Sequence, residues 1–106
     1  MKSSLKNPTA AESKRMEIIK RDIGCIACYK DHGVFGTPAH AHHLLSGGRR
    51  ISHLHTIGLC ELHHVGADGI HTRKRWVRDT YGTDNELLAL TNELLAQNTI
   101  NTITAL

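Results

Sequence analysis

Histidines and cysteines carry most of the chemistry that this sequence can offer. Most of the nine histidines and the last of the three cysteines lie between His40 and His71. Histidine is a common metal ligand and the side chain that titrates nearest to neutral pH. The cluster is internal and interleaved with apolar residues, which distinguishes it from a terminal tag or a histidine-rich surface loop. We therefore expect a metal site or a proton-transfer site in this stretch.

A first metal site is indicated by two chelating pairs. Cys25 and Cys28 form a C-x-x-C motif, and Cys60 and His63 form a second pair thirty-two residues after Cys28. Two ligands on one tight turn can bind the same tetrahedral zinc ion. The rival interpretation, a redox-active dithiol, needs the motif at the start of a helix inside a βαβ unit, and nothing in the sequence suggests that unit. We predict one structural zinc ion held by these four residues.

The size and composition of the chain favour such a brace. Its 106 residues include one Trp, two Tyr and one Phe, so a single small domain would have a thin, mainly aliphatic core. No stretch is long and apolar enough for a membrane span, and no apolar stretch follows the basic start as in a signal peptide. We therefore expect a cytoplasmic protein, in a compartment where reducing conditions favour metal-bound thiolates over disulfides.

Charge is distributed unevenly along the chain, whose formal net charge is +3. Residues 1–30 carry seven Lys and Arg against three acids, and residues 31–78 carry six against three. From Asp79 onward there are four acids and no base. A polyanionic partner would therefore meet the part of the chain before Asp79. Basic runs are also common on solvated faces, so charge alone leaves both interpretations open.

The elements that position these residues begin with a helix. Residues 1–9 are polar and basic and predict a flexible arm. Thr9 and Glu12 form a T-x-x-E capping box, and apolar residues recur at helical spacing after it. We predict a helix over residues 10–23 that ends at Gly24, followed by a turn that carries the C-x-x-C motif.

Two strands are predicted around the histidine cluster. The alternation over residues 39–42 indicates one strand, and Ser46 with the two glycines after it indicates a turn. Residues 55–59 predict a second strand, antiparallel to the first, which would deliver Cys60 to the zinc ion.

Helical patterns return in the last part of the chain. Residues from 62 onward predict a helix that glycines interrupt, and residues 71–81 predict another. A second capping box precedes a final helix with a broad leucine face, for which packing against the core is favoured over an oligomer seam. Residues 97–106 fit either a frayed tail or an edge strand. The predicted domain therefore covers residues 10–96.

The combined pattern resembles a known family of nucleases. The frame C-x2-C, A-H-H-L-L-S-G-G-R-R-I-S-H-x-H-T-I-G-L-C-x2-H-H, G-I-H and Y-G lies within residues 24–82. It is similar to the Ref-like (recombination enhancement) phage family of RecA-dependent HNH endonucleases. The resemblance implies an α+β fold, in which N- and C-terminal helices flank a small zinc-braced ββα-metal (HNH) finger. It also implies metal-dependent DNA cleavage in the cytoplasm of a bacterial host and, in the characterised branch of the family, targeting by a RecA filament.

The resemblance assigns a general base beside a catalytic metal. His42, at the end of the first strand, would bind the metal, and His43 would take a proton from water, a role that suits an imidazole. His55 lies five residues before the last cysteine, where the family usually has Asn. This departure still allows a histidine to tie down the loop and orient the base.

The helix after the second strand would supply the remaining ligands. His63 completes the zinc set, while its neighbour His64 points about 100° away and would bind the catalytic metal. Two residues compete for the third position. Asp68 has the i+4 spacing from His64, whereas His71 matches the G-I-H string, and we favour His71. The catalytic ion expected from the resemblance is Mg²⁺ or Mn²⁺.

Basic residues around these ligands would hold the DNA. The candidates for phosphate contacts are Arg49, Arg50, Arg73, Lys74 and Arg75. Nothing in the sequence suggests a reader of bases, so we expect non-specific cleavage.

Two interpretations without catalysis stay open. A zinc-finger module that only binds DNA would need only the four ligands of the structural zinc. A module that only docks on RecA would tolerate loss of every histidine outside the set that binds the structural zinc.

Overall fold

The computed structural model of the chain describes residues 5–105, with side chains described up to residue 98. Residues 1–4, which open the predicted basic arm, and Leu106 lie outside the described residues. Helices pack around two small antiparallel sheets, so the α+β class is confirmed. The elements in chain order are α1 (Ala10–Ile18) with a π-helical continuation (Ile19–Ile23), α2 (Ile26–His32), β1 (His40–His43), β2 (Leu45–Ser46), β3 (Arg49–Arg50), β4 (Thr56–Leu59), α3 (Glu61–His64), α4 (Lys74–Tyr81) and α5 (Asp84–Ala105).

The first helix begins at the predicted capping box. The Glu12 amide donates to Thr9 Oγ1 at 3.2 Å, and the Glu12 carboxylate accepts from the Thr9 amide at 2.8 Å. The helix ends at Gly24 as predicted, but its last turn, Ile19–Ile23, has π-helical hydrogen bonding. This wider turn was not predicted, and it buries Ile19 and Ile23 against the core.

The C-x-x-C motif opens a helix that the sequence did not predict. Cys25 is the N-cap of α2, and its Sγ accepts from the Cys28 amide at 3.4 Å. The predicted simple turn is therefore wrong. A thiol at the start of a helix is one condition for a redox motif, but the described residues contain no βαβ unit, since both sheets are antiparallel.

The two predicted strands, β1 and β4, pair antiparallel, with His42 opposite Ile57 and His43 opposite Thr56. Every residue of β4 is buried, because the strand packs between α5 and the end of the first helix. Gly58 is required there, because a Cβ at this position would lie 2.3 Å from the Gly24 carbonyl oxygen. The close approach brings the loop after Gly24 against the strand that precedes Cys60.

A second hairpin lies between these strands. Leu45 pairs with Arg50 and Ser46 with Arg49, and the predicted glycine turn connects the two short strands. The sequence predicted the turn but not the strands. The hairpin is exposed and carries Arg49 and Arg50 beyond the end of β1.

The helices of the C-terminal half differ in length from the prediction. The helix from residue 62 is a single turn, α3, and the helix predicted over residues 71–81 begins at Lys74. The second capping box is confirmed, since Thr83 and Glu86 exchange hydrogen bonds of 2.9 and 3.2 Å. The backbone of residues 97–105 continues α5 and forms neither a frayed tail nor an edge strand. Helix propagation is easier than nucleation, which explains a helix over residues of modest propensity.

The core is mainly aliphatic, as the composition predicts, and a half-buried cation, Arg15, links its helices. Arg15 Nη2 donates to the Thr56 carbonyl at 3.0 Å, and its Nη1 donates to Asn92 Oδ1 at 2.8 Å. Arg15 therefore ties α1 to β4 and α5. Among the described helices, none has the length and apolarity needed to cross a membrane. The core includes Ile23, Ile26, Leu44, Ile57, Leu59, Val77, Leu87 and Leu94.

Candidate metal centres

The four residues predicted to bind structural zinc meet at one point. Cys25 and Cys28 come from the start of α2, and Cys60 and His63 come from the single turn of α3. His63 Nδ1 lies 3.5, 3.7 and 3.2 Å from the Sγ atoms of Cys25, Cys28 and Cys60. The Sγ atoms of Cys28 and Cys60 are 3.9 Å apart.

These distances match the edges of a tetrahedral zinc site. Zinc binds thiolate sulfur at about 2.3 Å and imidazole nitrogen at about 2.0 Å, which gives edges of roughly 3.8 Å between sulfurs and roughly 3.5 Å between sulfur and nitrogen. All four donor atoms lie within 4.8 Å of one another, and the three cysteines form no disulfide. The Cys3His cluster can therefore hold a metal ion such as zinc.

Burial disfavours the deprotonated thiolate form of these cysteines when no cation is bound. It raises the pKa of the Cys25 thiol to about 12, although hydrogen bonds from the Cys60 and Cys28 main chains lower that pKa in part. The pKa of Cys28 is also raised, mainly by burial. A cation has to displace these protons, so metal binding at this cluster will release protons and weaken in acid.

The far side of the His63 ring is supported by two further residues. The Tyr81 hydroxyl donates to Asp31 Oδ2 at 2.7 Å, and its oxygen lies 3.3 Å from His63 Nε2. Because the single hydroxyl proton is used by Asp31, this oxygen accepts from the Nε2–H of His63. That tautomer leaves the lone pair of His63 on Nδ1, facing the sulfurs. Burial and the bond to Asp31 raise the pKa of Tyr81. The sequence offered only the Y-G string as a signal for this support.

We expect Tyr81→Phe to weaken zinc binding without unfolding the domain. Loss of an outer hydrogen bond to a ligating histidine typically lowers metal affinity by about 10- to 100-fold. Competition with a chromophoric zinc chelator measures the change. Tyr29→Phe is the matched control, because the Tyr29 ring packs against Phe35, with ring centroids 5.0 Å apart, whereas the tyrosine in contact with the His63 ring is Tyr81. Equal zinc affinities for Tyr81→Phe and the wild type would contradict this role.

A second cluster brings together three histidines. His64 Nε2 lies 3.2 Å from His42 Nδ1 and 3.0 Å from His71 Nε2, and the three nitrogens lie within 4.8 Å of one another. Ions bound at about 2.1 Å space adjacent ligand atoms by roughly 3.0 Å in octahedral and 3.4 Å in tetrahedral geometry. Three imidazole nitrogens at this spacing suit a bound divalent ion. Direct hydrogen bonds explain the spacing less well, since His42 and His71 would compete for the same Nε2 of His64.

The main-chain path of the loop after α3 determines whether His71 or Asp68 lies beside His42 and His64. The Ile70 amide donates to the His63 carbonyl at 2.9 Å and the His71 amide to the His64 carbonyl at 3.2 Å. This fold-back needs glycine at position 69, because a Cβ there would lie 2.6 Å from the His64 carbonyl oxygen. The structure thus brings His71 to the cluster. Asp68, the alternative ligand, lies instead 3.3 Å from the Arg73 guanidinium.

The surroundings of the cluster favour the neutral form of its imidazole rings. Burial, with the charges of His64 and His71, lowers the pKa of His42 to about 4. Burial also lowers the pKa of His64. At neutral pH these rings keep the lone pairs that a metal needs. His71 is exposed, so the cluster is open to solvent on that side.

His40 is a further neighbour of this cluster, and the sequence pattern did not indicate this contact. Its Nδ1 lies 3.1 Å from His64 Nδ1, on the side of the ring opposite the cluster. If His64 offers the Nε2 lone pair, its Nδ1 carries the proton and donates to His40. His40 can therefore orient His64, much as Tyr81 orients His63.

The predicted base, His43, lies next to His42 on β1 but contacts a different histidine from the one expected. Its Nε2 is 3.0 Å from His53 Nδ1, whereas the His55 ring bonds to Ser52 Oγ at 2.7 Å. The expected contact between the His55 ring and the base is therefore wrong. The His55 main chain does hold the loop, because its carbonyl accepts from the Leu44 amide at 2.9 Å. The pKa of His43 is lowered by burial and by the charges of Arg50 and His53.

The predicted DNA-contacting residues fall in two places. Arg49 and Arg50 lie on the exposed hairpin beyond β1. Arg73 pairs with Asp68 and stacks over the Trp76 ring, 4.6 Å from its centroid. The remaining two, Lys74 and Arg75, line a cavity of about 510 Å³ between α4 and the start of α5.

Comparison with known proteins gives a match over most of the chain. The model of a family described as recombination enhancement, RecA-dependent nuclease matches residues 8–96. The matched span contains both the Cys3His cluster and the histidine cluster. No curated protein and no solved structure matches the chain significantly.

Proposed function

Because this chain belongs to the recombination enhancement, RecA-dependent nuclease family, we propose that it hydrolyses DNA phosphodiester bonds at an HNH-type site on RecA-bound DNA. In this proposal residues 10–96 form the nuclease domain, and β1, β4 and α3 form its ββα-metal unit. The Cys3His cluster holds structural zinc beside that unit. The observation that supports the proposal is that three imidazole nitrogens converge within 4.8 Å at the strand that also carries His43.

The residues of the proposed site have separate roles in hydrolysis. His43, half-buried and kept neutral by the lowered pKa, accepts a proton from the attacking water. A divalent ion held by His42, His64 and His71 would supply Lewis acidity at the scissile phosphate. The exposed side of the cluster, at His71, gives a DNA strand access to it.

The donor set bears on which ion works best. Neutral imidazoles suit zinc and similar transition metals, whereas magnesium prefers carboxylate oxygens and water. The described cluster offers three imidazoles and no carboxylate, because Asp68 pairs with Arg73. Activity assays should therefore compare Mg²⁺, Mn²⁺ and Zn²⁺ directly.

Positive charge near the site supports a DNA substrate. Arg49 and Arg50 extend from the hairpin that begins two residues after His43, and Lys74 and Arg75 follow His71. We propose that these residues and Arg73 contact phosphates, which favours binding without sequence preference. A module that only binds DNA or docks on RecA would not need the second histidine cluster, which favours the enzyme.

The test of this function is His43→Ala. Loss of a general base costs on the order of 10²- to 10⁴-fold in rate, so we expect cleavage at least about 10²-fold slower than wild type. DNA affinity and the content of both metals should be nearly unchanged, because His43 is not assigned as a ligand. Plasmid and single-stranded DNA, with and without RecA filaments, are the substrates.

His32→Ala provides the matched control, because His32 is an exposed histidine at the end of α2. It should cut at the wild-type rate. A His43→Ala protein with wild-type activity would end the assignment of His43 as the base. No cleavage by the wild type with any of the three ions and RecA-bound DNA would end the proposed function itself.

A further inference from the structure

A chain of hydrogen bonds joins the proposed base to the N-terminal segment. His43 Nε2 lies 3.0 Å from His53 Nδ1, and His53 Nε2 lies 2.7 Å from the carbonyl oxygen of Lys6. Lys6 belongs to the segment before the capping box that opens α1. This series of hydrogen bonds therefore runs from β1, through the loop before β4, to the start of the described residues.

The carbonyl end of this chain dictates where the protons lie. A carbonyl oxygen can only accept, so His53 donates its Nε2–H to Lys6. A neutral His53 then carries a lone pair on Nδ1, and His43 has to donate its own Nε2–H to it. A neutral His43 with its proton on Nε2 has its lone pair on Nδ1.

We propose that His53 is a positioning residue that, together with the Lys6 carbonyl, holds His43 as the Nε2–H tautomer and leaves Nδ1 as the basic nitrogen. The inference rests on the proposed function, since it concerns the base of that reaction. The family resemblance implied the orienting role for His55. The geometry gives the side-chain part of it to His53 and leaves His55 the main-chain bond to Leu44.

The backbone around His53 is held in place, as a positioning residue requires. The Thr56 hydroxyl donates to the His53 carbonyl at 3.0 Å, and the His55 amide donates to the Ser52 carbonyl at 3.2 Å. Thr56 is itself paired with His43 across the sheet and bound by Arg15. The same strand pairing therefore fixes the base and the residue that orients it.

Lys6 joins this series of hydrogen bonds through its main chain and not through its side chain. The atom that it contributes is a main-chain oxygen, so the identity of the Lys6 side chain should not matter. This property supplies a control, because Lys6→Ala keeps the carbonyl in the full-length protein.

Two substitutions of His53 test whether its Nδ1 accepts a hydrogen bond from His43. One keeps an accepting atom near that position, and the other removes it. Asn places a carbonyl oxygen near the position of Nδ1, so His53→Asn can still accept from His43, whereas His53→Ala cannot. We expect His53→Ala to lower kcat by about 10- to 100-fold with little change in KM for DNA. His53→Asn and Lys6→Ala should stay within a few-fold of wild type. Equal losses in His53→Asn and His53→Ala would indicate a merely structural role and overturn the proposal.

The tautomers can be read without any activity. Long-range ¹H–¹⁵N correlation spectra of the zinc-bound, full-length protein should show His43 and His53 with their protons on Nε2. His53→Ala should weaken the Nε2–H preference of His43, and His53→Asn should keep it. A proton on His43 Nδ1, or an Nε2–H form unchanged in His53→Ala, would overturn the inference. If the wild type cuts no DNA while the spectra agree, the proposed function fails and the hydrogen-bonded pair stands.

Discussion

Cys25→Ser is expected to abolish structural metal binding and cooperative unfolding together. Binding of structural zinc contributes about 10–16 kcal/mol in small zinc-dependent folds, while a whole domain is stable by only about 5–15 kcal/mol. Cys25 is fully buried at the start of α2, and its Sγ lies 3.5 Å from His63 Nδ1. A serine hydroxyl there is a poor zinc ligand and leaves a buried polar group.

Zinc stoichiometry and thermal unfolding, measured on the same samples, test this prediction. Ile26→Val is the matched control, because Ile26 is equally buried beside Cys25 but holds no metal. It should lose about 0.5–1.5 kcal/mol of unfolding free energy and keep one equivalent of zinc. A well-folded Cys25→Ser protein with one equivalent of zinc would contradict the assignment of the structural site.

The second large effect concerns His64, which should be essential for cleavage but not for folding. Its Nε2 lies at the centre of the histidine cluster, within 3.2 Å of His42 and 3.0 Å of His71. Removal of this ligand should empty the catalytic site. Metal assistance is worth several kcal/mol, and about 4 kcal/mol corresponds to roughly 10³-fold in rate. We therefore expect His64→Ala to cut at least about 10³-fold more slowly.

Metal content distinguishes the two sites in this variant. His64→Ala should keep the tightly bound zinc, because the neighbouring His63 turns its ring toward the cysteines and Tyr81. His40→Ala is an informative companion, since it removes only the ring behind His64, and its loss of rate should be smaller. If His64→Ala releases the structural zinc, the roles of the adjacent pair are reversed.

Short-range spacing was enough to suggest Cys25 as a zinc ligand, whereas the role of His64 was implied by the family resemblance. C-x-x-C and C-x-x-H are chelating pairs because one turn brings residues three apart to the same point. The capping boxes at Thr9 and Thr83 and the alternation before His43 are equally local signals. The sequence by itself therefore predicted the starts of two helices and the pairing of two strands, while the family resemblance implied the α+β class.

Where the chain is irregular, tertiary structure decided which distant side chains meet, although the family resemblance had favoured His71 over Asp68. The i+4 spacing from His64 to Asp68 holds only within a helix, and α3 ends at His64. The loop folds back through the main-chain bond between His71 and His64, so His71 reaches the cluster. The turn closed between Ser52 and His55 likewise turns His53, and not His55, toward His43. Spacing along the sequence predicts neither contact, because in loops the hydrogen bonds of the main chain set side-chain direction, and these form only in the folded chain.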